Sequence, residues 1–130
     1  MPRKKTAIPT EKELQILSII WRRGPSTVRE VNTVMNRDSG TGYTTTLKLM
    51  QIMYEKRLLK RDDSAKTHVY LPANSEEQIQ SQVVDNLLDR VFAGSTKKLM
   101  MRVLSSQHVT PDELSSLKKM IEMKEKEAKS

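Results

Sequence analysis

Apolar residues recur along most of this chain in steps of three and four, interrupted once by a stretch that alternates. Leu14, Leu17, Ile20 and Trp21 form the first such stripe, the mark of a helix with one buried face. Thr10 and Glu13 precede it as a capping box, in which hydroxyl and carboxylate satisfy backbone N–H groups left open at a helix start. Gly24-Pro25 closes it. A helix from about Thr10 to Arg22 is predicted, with Trp21 in its core. Thr27 and Glu30 repeat the box and open a short helix whose Val28, Val31, Val34 and Met35 face inward, ended by the turn-rich Asn36 to Gly42. A third helix runs from Tyr43 to Arg57. At about 100 degrees per residue, Thr46, Met50 and Met53 share one side, while Thr45, Lys48 and Ile52 point the opposite way with Leu49 and Gln51 at their margins. After Leu58-Leu59-Lys60-Arg61 comes a loop, Asp62 to Lys66, and then the alternating Thr67-His68-Val69-Tyr70-Leu71 before Pro72, a β-hairpin signal. Three short helices and a hairpin, in that order, make a winged helix-turn-helix.

The rest reads as helix. Ser75 and Gln78 form a third capping box, and Ile79, Val83, Val84, Leu87, Leu88, Val91 and Phe92 spread over a wide arc of a helix reaching Ala93, with Gly94 as its cap. Ser95 restarts a helix carrying Leu99, Met100, Val103 and Leu104, and Thr110-Pro111 opens a last one with Leu114, Leu117, Ile121 and Ala128. Helical hairpins with so much apolar surface cannot cover it within themselves, and a second copy related by a two-fold axis is the commonest cover. The fold expected is mainly α with a small β-hairpin: a winged-helix DNA-binding domain over 1–73 and a helical dimerisation domain over 74–130. Ile79, Val83, Leu87, Val91, Phe92, Leu99, Leu114, Leu117 and Ile121 are the expected dimer contacts.

Charge divides the chain at nearly the same place. The net charge is +7, and all of it lies in the first 72 residues, which hold 14 Lys and Arg against 7 Asp and Glu; the remainder holds 9 of each. A basic front half is suited to a polyanion. Base and phosphate contacts are expected from Tyr43, Thr44, Thr45, Lys48 and Gln51 on the third helix, since a helix start offers unpaired N–H groups to phosphate, threonine bonds base edges, and lysine reaches guanine acceptors. Thr46, on the apolar side, is expected to pack. Lys60, Arg61, Lys66 and His68 lie on or beside the wing, where contact with the DNA backbone is the usual role; Asp62 and Asp63 weaken that patch. Arg3, Lys4 and Lys5 form a basic arm, either a free tail or an extra backbone clamp.

Several function classes fall away. The chain has no cysteine and only two histidines, His68 and His108, without HExxH or any paired carboxylate–histidine spacing, so no metal is expected. There is no glycine-rich phosphate loop and no Ser, His and acid grouping, so neither a cofactor nor catalysis is expected. Aromatics at 4% supply no platform for stacking single-stranded bases. No apolar run is long enough for a membrane span, and Met1-Pro2-Arg3-Lys4-Lys5 leads into polar sequence rather than a signal peptide, which points to the cytoplasm. The rival to DNA binding is a winged-helix interaction module that meets an acidic protein partner in a larger assembly.

The opening Thr10-Glu11-Lys12-Glu13-Leu14-Gln15-Ile16-Leu17 with Ile20-Trp21, then Tyr43-Thr44-Thr45-Thr46-Leu47, Tyr54-Glu55-Lys56-Arg57-Leu58-Leu59-Lys60-Arg61 and His68-Val69-Tyr70 together resemble the penicillinase-repressor family of bacterial regulators. Leu87 to Gly94 followed by Leu99 resembles that family's dimerising segment. The resemblance implies a homodimeric winged-helix repressor on a palindromic operator of a β-lactamase, antibiotic-response or related operon, released when a membrane sensor-protease pathway leads to cleavage in the dimerisation segment. Base reading then falls on Thr44, Thr45 and Lys48, and the cleaved bond near Arg102-Val103, where relatives cut in this way carry Asn-Phe. Copper-responsive relatives have a cysteine-rich tail that this chain lacks, and Ile52 stands where relatives often have arginine.

Overall fold

The computed structural model describes residues 8–129. Its elements are α1 (Glu11–Arg23), α2 (Val28–Ser39), α3 (Tyr43–Glu55), β1 (Leu59–Asp62), β2 (Val69–Pro72), α4 (Glu76–Arg90), α5 (Thr96–Ser105) and α6 (Pro111–Lys129). Each lies where the apolar spacing places it, but α3 stops at Glu55, short of the expected Arg57, and α4 at Arg90, short of Ala93, since Arg57 and Ala93 both take positive φ. The Thr10/Glu13 and Thr27/Glu30 capping boxes are formed in both directions, and Ser75 and Gln78 bond each other's backbone N–H groups in the same way. Gly40 ends α2 in a left-handed conformation (φ 69°) that an L side chain rarely adopts, while its N–H donates to Asn36 O.

By compactness the chain divides into two units, one running through Val84 and the other starting at Asp85, so the division falls inside α4. In the first unit α1, α2 and α3 surround a core of Ile16, Leu17, Ile20, Val31, Met35, Met50 and Met53, closed on the hairpin side by Leu58, Leu59 and Tyr70. Each such side chain contributes about 1.5–3 kcal/mol by leaving water. The hairpin is antiparallel with Leu59 opposite Pro72 and Arg61 opposite Tyr70. Ser26, between α1 and α2, adds a single bridge to its free edge: Ser26 N donates to Tyr70 O at 3.0 Å and Tyr70 N donates to Ser26 O at 2.8 Å. The wing is thereby tied to the helices.

Two expectations need correction. Ile79 is only 2% exposed and belongs to the core of the first unit, so it is not free to face a second copy; Val83 is half-buried against the same core. The first turns of α4 are a lid on the winged helix. Trp21 is half-buried rather than central, its indole Nε1 donating to Asn74 O at 3.1 Å just before α4 begins.

The second unit has a different character. Neither α5 nor α6 contains a buried residue. Val91, Met101, Leu104, Leu114, Met120, Ile121 and Met123 are all exposed.

Candidate nucleic-acid interface

The start of α3 is set by a polar cluster that the apolar pattern does not reveal. Thr41, buried in the turn after α2, is held at its carbonyl by Asn32 Nδ2 (3.0 Å) and Asn36 Nδ2 (3.2 Å). Its hydroxyl Oγ1 lies 2.8 Å from Ser39 Oγ and accepts from Lys12 Nζ at 3.0 Å. The Asn32 amide also donates to Thr46 Oγ1 (3.0 Å), a fully buried hydroxyl that itself donates to Gly42 O at 3.1 Å. Thr46 therefore packs inward as its angle predicts, and it carries a hydrogen-bond network as well as volume. At the other end of α3, Lys56 Nζ donates to Glu13 Oε2 at 3.0 Å. Burial alone would raise the Glu13 pKa, but the Thr10 backbone N–H, the Lys56 ammonium and the Thr10 hydroxyl outweigh it and hold the carboxyl below its ordinary value. Both ends of α3 are thus fixed to the helices behind it.

Neither Thr44 nor Thr45 caps the helix. Gly42 is the N-cap and provides no side-chain bond, and the first intrahelical bond of this turn is Thr46 N to Gly42 O. The N–H groups of Tyr43, Thr44 and Thr45 precede it at the positive end of the helix dipole. The side chains of Tyr43, Thr44, Thr45, Lys48 and Gln51 are all exposed, while Met50 and Met53 are completely buried. Ile52 and Leu49 are half-buried, so the outward face of α3 is polar at its start and centre.

Beside this face runs a groove of about 370 Å³, bounded by the start of α2, the side of α3 and the wing. Thr27 and Arg29 line it from α2, Tyr43, Leu47 and Gln51 from α3, and Arg61, Lys66, Thr67 and His68 from the wing. Three cations, one from α2 and two from the wing, share one concavity. Arg29 was not among the residues expected here; its guanidinium lies 5.7 Å from the centre of the Tyr43 ring. A lone arginine on the polar side of a short helix carries no signal in the sequence, and only the fold brings it to the groove. Lys60 is exposed on β1.

Arg61 is not free. Its Nε donates to Asp63 Oδ1 at 2.7 Å and its Nη2 to Asp63 Oδ2 at 3.4 Å, while the guanidinium lies over the Tyr54 ring, 4.2 Å from its centre. The paired carboxylate pushes the Arg61 pKa up. His68 Nε2 is 3.6 Å from the same Asp63 oxygen. Asp62, by contrast, accepts the Ser64 backbone N–H at 2.9 Å and shapes the hairpin turn. The arm residues Arg3, Lys4 and Lys5 lie outside the described residues.

In the second unit Leu87 and Val91 on α4 and Leu114 and Ile121 on α6 are exposed, and Phe92, Leu99 and Leu117 are half-buried. Arg102 and Val103 are exposed within α5. Among the described residues no group of three or more acidic or histidine side chains gathers as a metal site, and no helix is long and apolar enough to cross a membrane.

A winged helix-turn-helix with a polar, unobstructed third helix and a basic groove beside it defines a DNA-binding transcriptional regulator. The sequence profile of the penicillinase repressor family matches residues 9–123, and the chain belongs to that family of transcriptional repressors, regulators rather than enzymes. It is similar to the penicillinase repressor of Staphylococcus aureus, 19% identical over 84% of this chain and 86% of the relative. It is also similar to the transcriptional regulator BlaI of Mycobacterium tuberculosis, 24% identical over 84% of this chain and 79% of the relative. Among solved structures the transcriptional regulator Tm0710 of Thermotoga maritima aligns over 88% of this chain and 78% of its own, at 19% identity and a TM-score of 0.47.

Proposed function

We propose that this chain represses transcription in the cytoplasm as a homodimer, each copy placing α3 in the major groove of one half of a two-fold-symmetric operator and its wing on the adjacent backbone. The observation that carries this reading is the groove in which Arg29, Arg61 and Lys66 converge beside the exposed Thr44, Thr45, Lys48 and Gln51. Lysine and threonine at the start of α3 are suited to base edges, and the groove and Lys60 to phosphates. In this division of labour the winged helix binds DNA, and the apolar residues of α4 beyond Val84, α5 and α6 bind the second copy. The target is an antibiotic-response operon or a related one, as the names of the relatives suggest. If a membrane sensor-protease pathway releases the repressor by cleavage near Arg102-Val103, α5 must first unwind, because the bond lies inside a helix.

Selection of bound fragments from a pool of random duplexes tests the reading. It predicts recovery of an inverted repeat whose half-sites are about one helical turn, or a multiple of it, apart. Recovery of unrelated sequences, or of single half-sites only, would count against the symmetric dimer.

A further inference from the structure

The acidic pair in the wing is the one feature that fits a DNA interface poorly, and its two members differ in what they do. Asp62 has a structural task, accepting the Ser64 N–H and so forming the turn. Asp63 has none of this kind: its carboxylate faces the Arg61 guanidinium at 2.7 Å and 3.4 Å and lies 3.6 Å from His68 Nε2. Arg61 and His68 both line the groove. A carboxylate receiving two parallel N–H donors from arginine reproduces the geometry with which arginine holds a phosphate. Tyr54 completes the arrangement, its ring holding the guanidinium plane in place whichever anion it meets.

We infer that Asp63 is an internal competitor for the DNA backbone, occupying Arg61 in the free repressor and giving way to a phosphate on binding. This rests on the DNA-docking reading above and assigns a specific brake to it. The pair is only partly exposed and its strength modest, so a phosphate can displace it; its effect is to subtract from the sequence-independent part of binding. Contacts made by Thr44, Thr45 and Lys48 to bases are untouched, so the brake lowers affinity for random DNA and for the operator alike. A repressor that must leave non-specific sites quickly gains from it.

The test is a fluorescence-anisotropy titration of the full-length chain and of Asp63→Asn on a mixed-sequence duplex of about three helical turns. The same pair is compared in an Arg61→Ala background. Asp63 is exposed and Asn keeps its volume, and thermal unfolding of each variant verifies that the fold is retained. Asp63→Asn should bind about three- to twentyfold more tightly than the parent, with a log–log salt slope steeper by about one per subunit. In the Arg61→Ala background the same substitution should change affinity less than about twofold, because there is no guanidinium left to release. Unchanged or weaker binding by Asp63→Asn would overturn the inference and make the carboxylate a positioning group for Arg61. An equal gain in both backgrounds would overturn it too, since the carboxylate would then act on DNA by repulsion alone. Failure of the parent chain to bind the duplex would overturn the docking reading itself, and the inference with it.

Discussion

The winged helix and the helices after it are both built from amphipathic segments with apolar residues at three- and four-residue steps, yet only one of them has an interior. From Ile16 to Ile79 a set of aliphatic and methionine side chains is almost wholly removed from water. In α5 and α6 no residue is. The difference is one of geometry rather than composition. Three short helices crossing one another, with Leu59 and Tyr70 closing the hairpin side, can surround a side chain on all faces. The two helices α5 and α6 cannot, and their stripes are left as surface. In the first unit the face left open is polar and basic, and in the second it is apolar.

The largest expected effect separates the two kinds of apolar residue. Ile20→Ala should destabilise the winged helix by about 2–5 kcal/mol in urea denaturation, whereas Ile121→Ala should leave that transition in place and shift the monomer–dimer balance seen by sedimentation. A large loss of winged-helix stability from Ile121→Ala would erase the contrast. Truncation sharpens its boundary. A fragment ending at Val84 should fold as a monomer, but one ending at Ala73 removes Ile79 and the Asn74 carbonyl bonded by Trp21, at a cost of about 1.5–3 kcal/mol for the isoleucine alone. Equal stability of the two fragments, followed by Trp21 fluorescence, would return the boundary to 73/74.

Glu13 gives a comparable effect with a pH signature. Because its pKa in the folded chain lies below the ordinary 4.5, the stability it contributes is fully present above that value and is lost as pH falls through the depressed one. Glu13→Gln should therefore destabilise by about 1.5–3 kcal/mol near neutrality and flatten the stability profile below about pH 4.5. Parallel profiles for parent and variant would show that the Glu13–Lys56 pair does not anchor α3. On the DNA side, Lys48→Ala should weaken operator binding by roughly 1–3 kcal/mol and relax sequence preference, while Lys66→Ala should weaken all sequences alike. If both act equally on operator and random duplex, the helix does not read bases.

Element order, helix starts and the inward set on α3 are legible in the sequence because they depend on local rules, capping boxes and a single angle per residue. The ends are less so, since α3 stops at Glu55 rather than Arg57 and α4 at Arg90 rather than Ala93. Thr46, Met50 and Met53 follow from that angle. What escapes it is whatever depends on a distant partner. The Thr41 cluster joins Lys12, Asn32, Asn36 and Ser39, five polar residues with no periodic mark. Ser26 bridges to the wing through a single residue, too short for any strand signal. Arg29 reaches the groove only through the crossing of α2 over α3. Ile79 reads as part of a dimer stripe because a helix pattern shows that a side chain seeks cover and leaves open which surface provides it. Arg61 reads as a backbone contact in a patch weakened by Asp62 and Asp63, but which of the two acids holds it is not marked, since an Asp beside a turn is as often a turn residue as a partner.

Salt dependence of duplex binding tests most directly whether the basic half exists to meet DNA. With about three to five cationic contacts from each of two subunits, log affinity in an anisotropy titration should fall against log salt with a slope on the order of −5 to −9. A slope near zero would contradict the account, because the charge confined to the first 72 residues would then have no nucleic-acid partner.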